Sequence, residues 1–133
     1  MAITKFFDRS KELITFTCQG ELSFDEVRSA LEAMYTSDDY EYARGTLWDL
    51  TNATLQGLTA AQIWKVGNIV RAHKDALGIC KNAIVAQSDL NIGQSRMFEA
   101  QTYNLPFGFM VFRTMEEALH WLNEDEQSIS SLI

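Results

Sequence analysis

Proline occurs once in this sequence, at Pro106, and histidine and cysteine twice each. A single proline can mark only one connection, the one before the last apolar run. Cys18 and Cys80 lie far apart and lack the CxxC spacing of zinc or redox sites. Both fall in strand-like apolar runs, as small buried hydrophobes in a reducing compartment. Basic residues are also scarce: 11 Lys and Arg against 18 Asp and Glu leave a formal net charge of −7. Phosphate neutralisation needs clustered cations, so this balance argues against a nucleic-acid surface and against electrostatic docking on anionic membranes. No run approaches the ~20 apolar residues of a membrane span, and the segment from Met1 to Asp8 has no apolar core of signal-peptide length. The expected setting is cytoplasmic. Glycine-rich phosphate cradles, Walker A and the G-x-S-x-G turn are all missing.

What is present is enough for one compact domain over residues 1–133, with 47% hydrophobic and 22% charged residues. A chain of this length buries about two thirds of its unfolded surface, so neither metal nor disulfide is needed to hold it. Residues 2–7 and 12–19 are β-branched apolar runs separated by Asp8-Arg9-Ser10-Lys11, which predicts a hairpin ended by Gly20. Ser23 to Glu26 reads as a capping box opening a helix with Val27, Ala30, Leu31 and Met34 on its apolar stripe. Thr46 to Leu50 reads as a short buried strand, followed by a polar crest from Thr51 to Leu58. Thr59 to Gln62 is a second capping box, before a helix carrying Ile63, Val66, Val70 and Leu77 and closed by Gly78. Ile79 to Ala86 has the continuous apolar pattern of a strand covered on both faces. A second crest, Gln87 to Asn91, leads into a helix from about Ile92 to Tyr103. Phe107 to Phe112 is the last strand, and Thr114 to Glu117 a third capping box. The helix behind it buries Met115, Ala118, Leu119 and Leu122, and residues 124–133 form a polar, loose tail.

The order β-β-α-β-α-β-α-β-α predicts an α/β fold with a mainly parallel five-stranded sheet and an antiparallel edge hairpin. Several phrases then stand out: Gly20-Glu21-Leu22-Ser23, Leu47-Trp48-Asp49-Leu50-Thr51, Asn82-Ala83-Ile84-Val85-Ala86 and Gly93-Gln94-Ser95-Arg96-Met97-Phe98-Glu99. With the run from Val111 to Leu122, they make residues 3–122 resemble the SpoIIAA-like bacterial proteins of the STAS/CRAL-TRIO superfamily. The resemblance implies a non-enzymatic module for binding or regulation. STAS anti-sigma antagonists carry an Asp-Ser-Ser-Gly-type phosphorylation motif before the second helix. Here the matching stretch is Gln56-Gly57-Leu58-Thr59, which has no serine, so the phospho-switch is not carried over.

Two sets of residues are candidates for function. Asp49, Thr51, Asn52, Thr54 and Thr59 on the first crest, with Ser88, Asp89 and Asn91 on the second, lie beside helix amino termini that attract polar or anionic groups. The same residue types are the ordinary formers of turns and caps. Trp64, with Asn68 and Arg71 on its side of the helix, and Phe98 fall away from the apolar stripes. Large aromatics there anchor protein interfaces, a homodimer contact among them, or are covered by a second layer. His73 and His120 have no partner nucleophile or metal-ligand spacing, and no cofactor is implied. The leading expectation is therefore a module that binds a protein partner or its own copy. The alternative is a carrier of a small apolar or lipid-like ligand, and it needs a cavity of ~300 Å3 or more. A hydrolase working through Asp49 or Asp89 would need a closed cleft around a perturbed carboxylate.

Overall fold

The computed structural model describes residues 2–73, 80–103, 105 and 108–124. A β-hairpin opens the chain, formed by β1 (Ile3–Asp8) and β2 (Leu13–Glu21). Its turn is closed by Asp8, whose Oδ1 accepts from the backbone N–H and the hydroxyl of Ser10 at 3.0 and 2.6 Å. The chain continues through α1 (Phe24–Tyr35), a short α2 (Asp38–Tyr42), β3 (Gly45–Thr54), α3 (Ala60–Ala72) and β4 (Lys81–Val85). It ends with α4 (Asp89–Thr102), β5 (Phe109–Phe112) and α5 (Met115–Asn123). The sheet runs in the order β1-β2-β3-β4-β5, antiparallel between β1 and β2 and parallel elsewhere. Because each crossover steps in the same direction with the same hand, the linking helices share one face of the sheet.

The two faces carry separate cores. Ile14, Phe16 and Cys18 of β2, Trp48 and Leu50 of β3 and Ile84 of β4 point to the face covered by α1, α3 and α4. There they meet Leu31, Met34, Ile63, Val66, Val70 and Phe98. Leu13, Leu47, Ala83 and Val85 alternate to the opposite face, where Ala118 of α5 packs over them. β4 is buried on both sides from Asn82 to Val85, as its continuous apolar run requires.

Local chemistry sets the helix starts. Ser23 accepts from Glu26 N–H at 3.1 Å while Glu26 Oε1 accepts from Ser23 N–H at 2.9 Å, and Thr59 and Gln62 repeat the pattern. The third start differs from expectation. Thr114 caps Glu117 N–H, but its hydroxyl, rather than its backbone N–H, meets the Glu117 carboxylate.

Three boundaries also shift. Gly20 does not end β2: it sits inside the strand at φ +75°, beside a register shift between Thr17 and Gln19. β3 runs on to Thr54, so Thr51 and Asn52 belong to a strand rather than a loop. The segment after α1 forms α2, whose Tyr40 is buried. Leu77, Gly78, Ile79, Pro106, Phe107 and the tail from residue 125 lie outside the described residues.

Candidate functional site

β3 and β4 pair directly in parallel, with Asp49 opposite Val85, so their carboxyl ends share one border of the sheet. The two polar crests are therefore neighbours. Asn91 joins them. Its Oδ1 accepts from Leu55 N–H at 2.9 Å, and its amide donates to the carbonyls of Ala53 at 2.9 Å and Leu50 at 3.5 Å. Gln94 adds a parallel stitch, donating to Leu58 O at 2.9 Å. Asn91 is 3% exposed, so this side chain belongs to the fold's interior.

The other crest residues are occupied locally. Thr59 caps α3, and Ser88 caps α4 by accepting from Asn91 N–H at 3.1 Å. Asp49 Oδ1 accepts from the N–H and hydroxyl of Thr51 at 3.0 and 2.6 Å. Strand alternation turns Asp49, like Leu47, to the face of α5, whereas Thr59 and Ser88 stand at helices on the opposite face. The crests are adjacent without converging on one point. Asn52 and Asp89 are exposed on this border, Asp89 in the first turn of α4.

Among the interface candidates, Trp64 is 54% exposed on α3 and Asn68 is exposed on the same helix. Arg71 is half-buried and donates through Nη2 to Gln101 O on α4. Phe98 corrects the sequence reading. It is 8% exposed and meets Phe109 edge to face, ring centroids 4.7 Å apart. The buried face of α4 is Asn91, Ile92, Ser95, Phe98 and Thr102, so Met97 rather than Phe98 faces outward. Sequence reasoning also missed Phe6, which is 65% exposed on β1. Its place in an alternating hairpin strand was the available signal.

The histidines and cysteines share no helix or strand with one another. His73 ends α3 with its Nδ1 2.9 Å from Ile69 O, and its ring stacks on Tyr35. His120 is exposed and lies 3.7 Å from Glu124. Among the described residues, no group of His, Cys, Asp and Glu could hold a metal ion. Desolvation pushes the thiols of Cys18 and Cys80 up to about 12, the Asp49 carboxylate adding to the shift at Cys18. Thiolate, the reactive form, is then nearly absent at neutral pH and grows only as pH approaches that value. Iodoacetamide should therefore leave the native protein unlabelled at mildly alkaline pH and label both cysteines once it unfolds. Mass spectrometry reads the difference, and native labelling at either site would contradict the burial.

Between the sheet and α1, α3 and α4 lies an apolar cavity of about 80 Å3, lined by Leu31, Trp48, Leu50, Ile63, Ile84 and Phe98 among others. A wider groove of about 440 Å3 lies beside β5. Its charged groups are already engaged. Lys81 donates to the carbonyls of Trp121 and Glu124, and Glu99 accepts from Val111 N–H.

Among the solved structures that match this arrangement, two do so over nearly their full lengths. One is an uncharacterized protein of the DUF3478 family with a SpoIIAA-like fold from Shewanella loihica PV-4. It is 21% identical, with a TM-score of 0.55 over 91% of this chain and 94% of that one. The other is the anti-sigma factor antagonist SpoIIAA in its unphosphorylated form, 14% identical, with a TM-score of 0.57 over 93% of this chain and 100% of that one. The chain has a SpoIIAA-like fold. No family model and no curated protein matches the sequence. Within the SpoIIAA-like frame, Thr59 occupies the start of the helix that follows the central strand, and its hydroxyl is held as a cap. Among the described residues, no helix is long and apolar enough to cross a membrane.

Proposed function

We propose that this chain is a non-enzymatic, STAS-like binding module of the cytoplasm that works through protein–protein contacts and associates with its own copy. The observation that carries this reading is the contrast between the crest and the helix behind it. The crest's Asp49, Thr51, Thr59, Ser88 and Asn91 are engaged in turn, cap and clasp bonds, while Trp64 stands 54% exposed one turn into α3. A large aromatic held on a rigid helix can bury much area at little entropic cost. The likeness to SpoIIAA, an anti-sigma factor antagonist, supports a protein partner. Asn68, one turn further along α3, is exposed beside the anchor.

Capture from a cytosolic extract of the source cell, with wild type and Trp64→Ala as paired baits, tests this. The substitution should leave the melting temperature within ~2 °C of wild type, because an exposed side chain far from special features moves stability by less than about 0.5 kcal/mol. A partner retained by wild type should be lost from the variant. Equal retention by both baits would remove Trp64 from the reading.

The carrier of a small apolar ligand stands second: the groove of about 440 Å3 beside β5 has the volume but carries Lys81 and Glu99 in its lining, which leaves the apolar cavity under the helices. At about 80 Å3 it falls well short of the ~300 Å3 from which ligand pockets begin. A carrier would have to part α1, α3 and α4 from the sheet to load.

A further inference from the structure

The two edges of the sheet are finished differently. On β5, Val111 N–H donates to Glu99 Oε2 at 2.8 Å and Phe109 N–H to Thr102 Oγ1 at 3.5 Å. Both acceptors come from α4, so the outward donors of that edge are engaged within the chain. On β1 the pattern follows from the register. Ile3 pairs with Cys18, and Gln19 N–H donates to Ala2 O, so Thr4, Phe6 and Asp8 turn their backbone groups towards β2. Ile3, Lys5 and Phe7 therefore turn theirs away from the sheet. Among the described residues, nothing bonds to those outward groups. Edge strands are usually guarded by proline, a bulge or a free charge. β1 has neither proline nor bulge, and its one cation, Lys5, is held by Asp39 at 3.0 Å. Phe6 stands 65% exposed on the face opposite α1 and α3.

We infer that β1 is where the chain pairs with a second copy of itself, antiparallel, about a two-fold axis at Phe6. The inference rests on the self-association in the proposed function and names its surface. Pairing outward groups with outward groups allows two-fold axes at Thr4, Lys5 or Phe6. An axis at Lys5 sets each exposed Phe6 ring against the partner's Thr4 and the two Lys5 side chains directly opposite each other. An axis at Thr4 places Phe6 against the small Ala2 of the partner subunit. An axis at Phe6 sets Lys5 opposite the partner's Phe7 and Thr4 opposite the partner's Asp8. It brings the two exposed rings together as a non-hydrogen-bonded aromatic pair, the closer kind of cross-strand neighbour. Ring placement thus selects one register, and that register is self-complementary. Strand pairing of this length buries less than the roughly 1,200 Å2 of stable complexes, so the dimer belongs to the weak, concentration-dependent class.

Disulfide trapping locates the axis. In the inferred pairing the two position-6 Cα atoms lie ~4.5 Å apart, within disulfide reach, whereas the two position-4 atoms are separated by roughly 13 Å along the strands. Mild oxidation should convert Phe6→Cys to a covalent dimer and leave Thr4→Cys as single chains. Buried Cys18 and Cys80 do not compete. Phe6→Glu, with an unchanged circular dichroism spectrum, should fall to the mass of one chain by light scattering at a concentration where wild type is dimeric. Equal trapping at position 4, or a dimer that survives Phe6→Glu, overturns the edge contact while leaving self-association in place. A wild type that is one chain at every concentration overturns both. If β1 instead holds a strand of another protein, Phe6→Cys traps no second copy, and self-pairing is overturned.

Discussion

Replacing Asn91 with Ala is expected to cost the fold about 3 kcal/mol, the largest effect of any single change at the two crests. One buried side chain serves Leu55 N–H and the carbonyls of Ala53 and Leu50 across the border between α4 and β3. Each buried backbone group left without a partner costs about 1–3 kcal/mol, and water entering the gap recovers part of the sum. For a chain of this size that corresponds to a fall in Tm of roughly 10 °C. Asn91→Asp is expected to be no better. It keeps an acceptor for Leu55 but has no amide to donate, and burial raises its carboxyl pKa above the unfolded value near 3.9. The folded variant then holds its proton to higher pH than the unfolded chain, so its stability falls as pH rises above about 4. Thermal melts of the two variants across pH check both statements. An Asn91 that served only a ligand would leave the melts of both where wild type lies.

Trp48→Ala is expected to cost about 4 kcal/mol, and Trp48→Phe under about 1.5 kcal/mol. The indole is 7% exposed, stacks on Phe16 with centroids 4.0 Å apart, and borders the apolar cavity. Truncation would merge its volume with that cavity, and the cost grows with the volume left empty. Phenylalanine keeps the ring stack. It also removes the indole Nε1, a buried donor with no hydrogen-bond partner among the described residues, so part of the lost volume is offset. Chemical denaturation with matched slopes separates the two variants. A Phe variant as damaged as the Ala variant would mean that Nε1 has a partner of real strength.

The features legible in the sequence are those decided within a few residues. The caps at Ser23 and Thr59, the Asp8 turn and the two-sided burial of β4 are each written into a window shorter than ten residues, and each lies where its residues place it. What the sequence hid depends on distant partners. β3 outlasts its apolar core because Gln19, Gly20 and Glu21 of β2 run alongside Asn52, Ala53 and Thr54. The face of α4 was misassigned for a related reason. Three of its five buried residues, Asn91, Ser95 and Thr102, are polar, so its apolar periodicity is weak and the phase cannot be read from it. The burial of Asn91 depends on carbonyl acceptors in β3, and that of Thr102 on the carbonyls of its own helix.

The same distinction applies to the candidate site. That two crests adjoin follows from parallel strands being neighbours in the sheet, and the element order anticipates it. That Asp49 and Thr59 fall on opposite faces depends on which face of β3 each helix covers, which a strand buried on both sides at Leu47, Trp48 and Leu50 does not reveal by its apolar pattern. Residue types suited to binding polar groups thus became turn closures, caps and one clasp. The exposed aromatics lie elsewhere, Trp64 on α3 and Phe6 on β1 among them.

Native mass spectrometry of freshly purified protein bears most directly on this division between an occupied crest and free surfaces. Masses matching the bare chain and its dimer, with no bound small molecule, are the predicted result. A stoichiometric small-molecule adduct that survives purification would contradict it.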